Sequence, residues 1–496
     1  MTRSSKKRSG CGCCGCPGCL LLLALIIWAG VALWQSFKPL PEGLRMSGEP
    51  IPVAAEKIRF LADTTAVDHE GRSVVRQEIF DRMLGRIDNA REMVLVDNFL
   101  FNSAGGHGSE MPRQLCGELT DALVAAKGRR PDMPVLVITD PINEIYGGTS
   151  RSHFKRLRSA GVQLVFTDLT RLRDSNALYS SWWRLGPRWL GNKTSGGSFP
   201  SPFDPAGDNV TLRSWMALLN FKANHRKILL TDDGNGAWGF VIGSLNAHDG
   251  SSAHSNLALE IDSTALAGQI WEAETAVLRL SGVTPPERRP IDDGVAVTEG
   301  AFRAQVLTEG AIRDQLIEAL AAAGKDTKVD VAVFYLSHRA VIAALVSAAK
   351  RGADLRVILD PSKDAFGRTK NGIPNRQAAQ DLIRKSDGRI RVRWYDTHGE
   401  QFHPKMMVVR RPQEFTVILG SANFTRRNLD DLNLEADLRV DGPLGSPLDR
   451  DLAAWFDRLW TNDGFHFTVP YETYEDGSKL RRITARIQER TGLCTF

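Results

Sequence analysis

An α/β fold built from two copies of one unit is predicted by three observations. Apolar runs of strand length alternate with helix-length segments along the chain. The order of those runs recurs in the two halves. A short polar motif closes each repeat: His225-x-Lys227 and His403-x-Lys405, followed by Gly243-Ser244-x-Asn246 and Gly420-Ser421-x-Asn423. At 496 residues the chain is too long for one ordinary core, which fits two domains.

The elements can be taken in chain order. Arg3, Lys6, Lys7 and Arg8 precede an uncharged apolar run from about Leu20 to Trp34. Preceding Pro-Gly-Cys residues extend it toward the roughly 20 residues that span a bilayer. Basic residues before it, with Glu42 and Glu49 after it, favour a cytoplasmic amino terminus and the bulk of the chain on the extracytoplasmic side, in a bacterial cell membrane or periplasm. Gly30-Val31-Ala32 is a poor cleavage site, because large residues follow, so a single-pass anchor is expected over a removed signal peptide. Cys11, Cys13, Cys14, Cys16 and Cys19 crowd beside the run, where lipidation and metal binding are both open to dense cysteines and no ordered spacing assigns either role. Only Cys116 and Cys494 lie in the body, so no disulfide framework is expected.

Beyond this anchor (1–45), two domains are expected at 46–282 and 283–496. "VLVDNFLF" from Val94 matches "VDVAVFYL" from Val329 as strands. A helix, a turn and a buried strand then end on Asp140-Pro141 in one half and Asp360-Pro361 in the other. Another helix and strand lead to the motif. From Asp140 to His225 is 85 residues against 43 from Asp360 to His403, so the first half carries about 42 more. This insertion, within 170–220, holds Trp182, Trp183, Trp189 and Trp215 among Arg171, Arg173, Arg184, Arg188 and Lys193. Such composition suits a membrane interface or an acyl-chain entrance, with Trp182 and Trp183 as substrate contacts. It also suits base stacking, or a plain structured lid whose tryptophans are core. "SGVTPPERRPIDDG" near Ser281–Asp293 reads as the exposed link between halves. The basic segment "SKLRRITARIQER" reads as a helix with a solvated face, or one that touches lipid headgroups.

The motifs carry chemistry. Phosphodiester transfer needs an attacking group and a proton donor for the leaving oxygen. Two imidazoles, one per half, supply both if the halves meet at one site. Spacing by two sets His and Lys on one strand face. Lys227 and Lys405 then hold phosphate oxygens, with Asn246 and Asn423 as further donors and Ser244 and Ser421 assisting. These donors call for no metal or other cofactor. Asp232 completes the first motif in a supporting role; Arg410 stands at that position in the second. Arg410 or Arg411 would then pair with Asp437 or Glu414.

The segments "NHRKILLTDDGNGAWGFVIGSLN" and "FHPKMMVVRRPQEFTVILGSANFTRRNLDDLNLEADL" resemble the phospholipase D superfamily, with the nearest likeness to its cardiolipin synthase-like branch. The resemblance covers most of the chain after residue 50. It implies two phospholipase D-like domains, each a mixed β-sheet flanked by helices, with the active site at their pseudo-twofold interface. It further implies His225 as nucleophile, His403 as acid and base, and Glu260 and Glu435 as the carboxylates that orient the imidazoles. Asp262 and Asp437 share a strand face with them, which leaves that assignment open. The Asn-to-Glu spacing is 14 in the first half and 12 in the second, which suggests a small insertion near Ser251.

The implied substrate is a phospholipid in a membrane, with a small alcohol or water as acceptor and no obligatory protein partner. Transfer from phosphatidylglycerol to make cardiolipin is the concrete version, and hydrolysis its nearest variant. A phosphodiesterase acting on single-stranded nucleic acid is the alternative within the superfamily. A net charge of +5, from 63 basic and 58 acidic residues, is too mild to argue for that alternative by itself. A non-catalytic lipid-binding scaffold is disfavoured by the intact His225, Lys227, His403 and Lys405.

Overall fold

A computed structural model describes residues 17–104, 111–202, 207–287, 302–365, 368–494 and 496. The basic, cysteine-rich start through Cys16 lies outside the described residues, as does the expected link from residue 288 onward.

Two large sheets carry the fold. In the first, the strands run in the order Ser73–Arg76, Ile58–Val67, Asn256–Asp262, Trp238–Gly243, Lys227–Asp232, Val94–Asn98, Val135–Thr139, Gln163–Phe166. In the second the order is Ile51–Val53, Phe302–Thr308, Ala436–Pro443, Glu414–Gly420, Lys405–Arg410, Lys328–Val333, Asp354–Leu359, Ile390–Tyr395, Thr468–Pro470. From Ile58–Val67 and from Phe302–Thr308 onward, seven strands correspond one to one, so the repeat read from sequence is a repeat of topology. Both sheets are mixed. Val94–Asn98 is parallel to Val135–Thr139 but antiparallel to Lys227–Asp232, and Lys328–Val333 behaves likewise toward its neighbours.

Strand periodicity sorts the cores. Ile228 and Leu230 join a central core while Leu229 faces the other way, toward helices Ile79–Asn89 and Leu115–Arg129. In the second half Met406 and Val408 join that same central core, and Met407 and Val409 face helices Gly310–Ala321 and Arg339–Lys350. The two sheets therefore turn one face toward each other and the other toward helices. Between the halves lie helices Thr264–Leu280 and Pro447–Thr461, which contribute Trp271, Val277, Leu452 and Phe456 to the shared core.

One segment crosses the expected domain boundary. Ile51–Val53 is antiparallel to Phe302–Thr308 and so lies at the edge of the second sheet, although sequence assigns it to the first domain. Met46 and Gly48 donate backbone N–H groups to Thr308 and Val306 and fasten it there.

Helix Pro17–Phe37 is long and apolar enough to cross a membrane, and most of it is exposed. It packs on insertion helix Ala177–Leu185, where Trp28 Nε1 donates to Leu178 O (3.0 Å). Cys116 and Cys494 are both buried free thiols in separate cores.

Candidate active site at the interface of the two halves

Each histidine is pinned by the opposite half. His225 N donates to Leu434 O (2.8 Å), and His403 N donates to Ser255 O (2.9 Å). These bonds join the approach to each motif strand to the strand that follows Gly-Ser-x-Asn in the other half. The side chains cross over in the same way. His225 Nδ1 lies 3.0 Å from Glu435 Oε2, and His403 Nδ1 lies 3.0 Å from Asn256 Oδ1. Asn256 Nδ2 donates to His254 O, which turns its oxygen toward His403. With an acceptor at Nδ1, each ring carries its proton there and leaves Nε2 free for chemistry.

Matched residues surround each imidazole. Phe99 packs on His225 at 4.9 Å between ring centroids, and Phe334 on His403 at 5.1 Å. Lys227 Nζ sits over the Phe99 ring and Lys405 Nζ over the Phe334 ring. Each ammonium also donates to the carbonyl of its own histidine. Backbone support is matched as well. Asp140 Oδ2 accepts from Asn224 N (2.8 Å), and Asp360 Oδ2 accepts from Phe402 N (3.0 Å). The Asp-Pro pairs that mark the repeat thus fix the residue before each histidine. Asn246 Oδ1 accepts from Leu100 N (3.3 Å), which leaves its Nδ2 free to donate.

Burial and like charge set the electrostatics. Burial, then Lys227 and Lys405, hold His225 well below the ordinary imidazole range. Burial, then Lys405 and His254, do the same to His403. Burial lowers Lys227 to about 7 against the pull of Glu435 and Asp97. It raises Glu435 to about 7 and Asp437 to about 8. Groups from both halves act on one another, so the site is one electrostatic unit.

Several sequence expectations need correction. Glu260 reaches neither histidine: its carboxylate is taken by Arg59 (2.9 Å), Arg82 (2.8 Å) and Arg86 (3.1 Å). The counterpart of Glu435 is Asn256, because Ser244 Oγ donates to Asn256 and Ser421 Oγ donates to Glu435 at matching places. Asn256 lies ten residues after Asn246, and Glu435 twelve after Asn423, so the extra residues fall in the second half and not near Ser251. They fall where the second half has the short helix Arg426–Leu429, which brings Asn428 Nδ2 to Glu435 Oε1. Ser244 and Ser421 are fully buried and hold these partners, so they position the site instead of touching substrate. Trp182 and Trp183 lie on insertion helix Ala177–Leu185, which packs on the apolar helix; Trp183 is buried and Trp182 half-exposed.

Asp232 supports the fold at the far end of its strand, where it accepts from the N–H groups of Arg91, Glu92, Met93 and Gly234. Arg410 takes the equivalent position and pairs with Asp330 and Asp449 at 2.6 Å each. Arg411, as expected, reaches Glu414 (3.2 Å).

Sequence reasoning missed Asn256, Phe99, Phe334, Asp140 and Asp360 as site components. A signal existed for four of them. Both phenylalanines stand five residues into the matched strand segments, and both aspartates open the matched Asp-Pro pairs. His254, whose ring lies 5.9 Å from that of His403, had no counterpart to betray it.

Residues 316–460 match the family model described as "Cardiolipin synthase, PLD-like domain". No curated protein sequence matches the chain. Among solved structures, phosphatidylserine synthase from Haemophilus influenzae Rd KW20 is similar at a TM-score of 0.55 and 13% identity, over 95% of this chain and 99% of that one. Nuc from Salmonella typhimurium, a phospholipase D family member, aligns with 32% of this chain and 95% of its own at 20% identity and a TM-score of 0.26. At these identities the structural likeness speaks to fold alone. Residues 316–460 thus match a phospholipase D-like domain model, and the fold of the chain is similar to that of the phosphatidylserine synthase.

Proposed function

We propose that the protein transfers a phosphatidyl group between phospholipid and alcohol through a phosphohistidine on His225. The cardiolipin synthase-like reaction, from phosphatidylglycerol, is its most concrete form. The observation that carries the reading is the unequal pair of imidazole partners: a carboxylate behind His225 and an amide behind His403. An imidazole that bonds to phosphorus gains positive character, which a carboxylate at Nδ1 stabilises. An imidazolium backed by a neutral amide gives up its proton more readily, which suits a general acid.

The phosphate anion draws a second proton onto His403, at Nε2, as it binds; His225 Nε2 then attacks phosphorus, the bond from phosphorus to the leaving oxygen breaks, and His403 Nε2 gives that proton to the oxygen. The incoming alcohol then loses its proton to His403 as its oxygen bonds to phosphorus and the phosphorus–nitrogen bond breaks. Lys227, Lys405 and the Asn246 amide hold the non-bridging oxygens throughout. The family description of residues 316–460 supports a phospholipid substrate. The apolar helix supports an anchor, with its amino terminus cytoplasmic and the domains outside.

The test is mass spectrometry of lipids after the full chain acts on phosphatidylglycerol liposomes, beside His225→Ala and His403→Ala. Cardiolipin with free glycerol, absent in both variants, is the expected result. Phosphatidic acid alone would make the enzyme a hydrolase. Unchanged lipid, together with cleavage of labelled single-stranded DNA, would overturn the lipid reading.

A further inference from the structure

Helix Lys479–Thr491 packs inward through Ala485, its one buried residue, and through Glu489, which accepts from Ser337 Oγ (2.5 Å) and Arg426 N (2.8 Å). Its opposite face is apolar. Leu480, Ile483 and Ile487 stand at helical spacing and are 74%, 54% and 56% exposed, and Leu493 continues the stripe just past the helix. A helix with a solvated outer face has polar residues there; this one has its largest aliphatic side chains. Lys479, Arg486 and Arg490 border the stripe on one side and Arg481 on the other. Behind them Arg482, Arg486 and Arg490 line a cavity of about 480 Å³ with Arg339 and Arg426. The acidic lining is Asp381 and Glu489; Asp381 is shared by Arg339, Lys385 and, at 3.7 Å, Arg486, while Arg481 pairs with Asp476 (3.2 Å).

The end of this helix adjoins the insertion that holds the apolar helix. Gly492, at φ +73°, closes the helix so tightly on Ser175 that a Cβ would come within 2.0 Å of the Ser175 carbonyl oxygen. Ser175 leads into helix Ala177–Leu185, which holds helix Pro17–Phe37 and itself exposes Leu178, Trp182 and Leu185. In the other direction Phe496 packs on Tyr335 (6.2 Å), Tyr335 on Phe334, and Phe334 on His403.

We infer that helix Lys479–Thr491 lies in the surface of an anionic phospholipid bilayer, apolar stripe among the acyl chains and arginines at the headgroups, as a second membrane contact beside the apolar helix. The occupant follows from the pairing of exposed aliphatics and a net basic border with a neighbouring helix long and apolar enough to cross a membrane, which together match a negatively charged bilayer interface. The contact is separable from catalysis, because its side chains touch no reacting group.

The experiment is hydrogen–deuterium exchange of the full chain in nanodiscs of neutral phosphatidylcholine, or of phosphatidylcholine with an acidic lipid. Amides of 479–491 should exchange at least about fivefold more slowly in the acidic discs. The effect should vanish in Ile483→Asn/Ile487→Asn, two surface changes whose unaltered melting curve verifies the fold. Equal exchange in both discs overturns the proposal, as does slowing that survives in the double variant. Slowing produced by inorganic phosphate on detergent-solubilised protein would assign the arginines to a soluble anion and also overturn it. None of these readouts depends on turnover, so they stand apart from the test of the reaction.

Discussion

Glu435 and Asn256 occupy one position in the two repeats and differ by a charge. That single difference breaks the symmetry of the site and sets the order of events. A substrate with an aryl leaving group needs no general acid for the first step, yet breakdown of the intermediate still needs a base. In His403→Ala such a substrate should therefore leave a stable mass increment on the peptide that contains His225, and His225→Ala should show none on His403. The reverse pattern would exchange the two roles. The same residues set the pH response. Lys227 must be cationic to hold phosphate, and burial has brought it from 10.5 to about 7. Glu435 must be ionised to support His225, and burial has lifted it from 4.5 to about 7. Activity is thus lost below neutrality as Glu435 gains its proton and above it as Lys227 loses its own. The profile of kcat/KM, which reports the free enzyme, should be a narrow bell centred near pH 7 whose limbs belong to the pair. A plateau that extends to pH 9.5 would contradict this account of Lys227.

At the level of the element, each motif strand works from both ends. One end begins at the histidine, and the other ends at Asp232 or Arg410. Asp232 gathers four backbone N–H groups, so it serves the turn before Val94 and has no part in the chemistry. Arg410 does the equivalent work with opposite charge, because Asp330 and Asp449 stand where the first half offers N–H donors. Restoring the motif with Arg410→Asp would bury three carboxylates together. We expect a loss of about 3–5 kcal/mol in urea unfolding, the usual range for breaking a buried pair, and partial rescue by adding Asp330→Asn. This element also marks how far sequence could lead. The duplication, the sheet class and His225, Lys227, His403 and Lys405 were legible because they repeat in order. Asn256 was not, because a search for a second carboxylate runs past an amide to Glu260, four residues on and on the same strand face. Only the register of Asn256–Asp262 against Trp238–Gly243, with Ala258 opposite Gly243 as Asp437 is opposite Gly420, reveals the correct pairing. The role of Ser244 and Ser421 was hidden for a similar reason: a hydroxyl beside a catalytic motif looks like a ligand until its own partner is known.

For the whole molecule, the interface between halves has to hold two histidines to hydrogen-bond precision, and its deepest component is ionic. Arg226, beside His225, is fully buried and pairs with Glu274 of the first half (3.0 Å) and Glu309 of the second (2.8 Å). Glu309 in turn accepts from the Glu435 backbone N–H, so the chain of contacts runs from the Arg226 guanidinium to the carboxylate that supports His225. Removing Arg226 strands two buried carboxylates. Arg226→Ala should cost about 3–5 kcal/mol of stability and reduce turnover beyond what the remaining folded fraction explains, since Glu309 would draw solvent toward the strand that carries Glu435. Replacing the whole triad by apolar residues of similar volume, Arg226→Met with Glu274→Leu and Glu309→Leu, removes the stranded charges as well. That variant should recover the melting temperature of the parent, because well-packed apolar groups are as stabilising as a buried ionic triad. It should not recover the rate, because the Glu435 N–H loses its acceptor and His225 loses its registered support. Calorimetry and kcat on the same two variants separate these outcomes. If stability and rate return together, the triad is only a packing element and the site is held by the Leu434 and Ser255 backbone bonds alone.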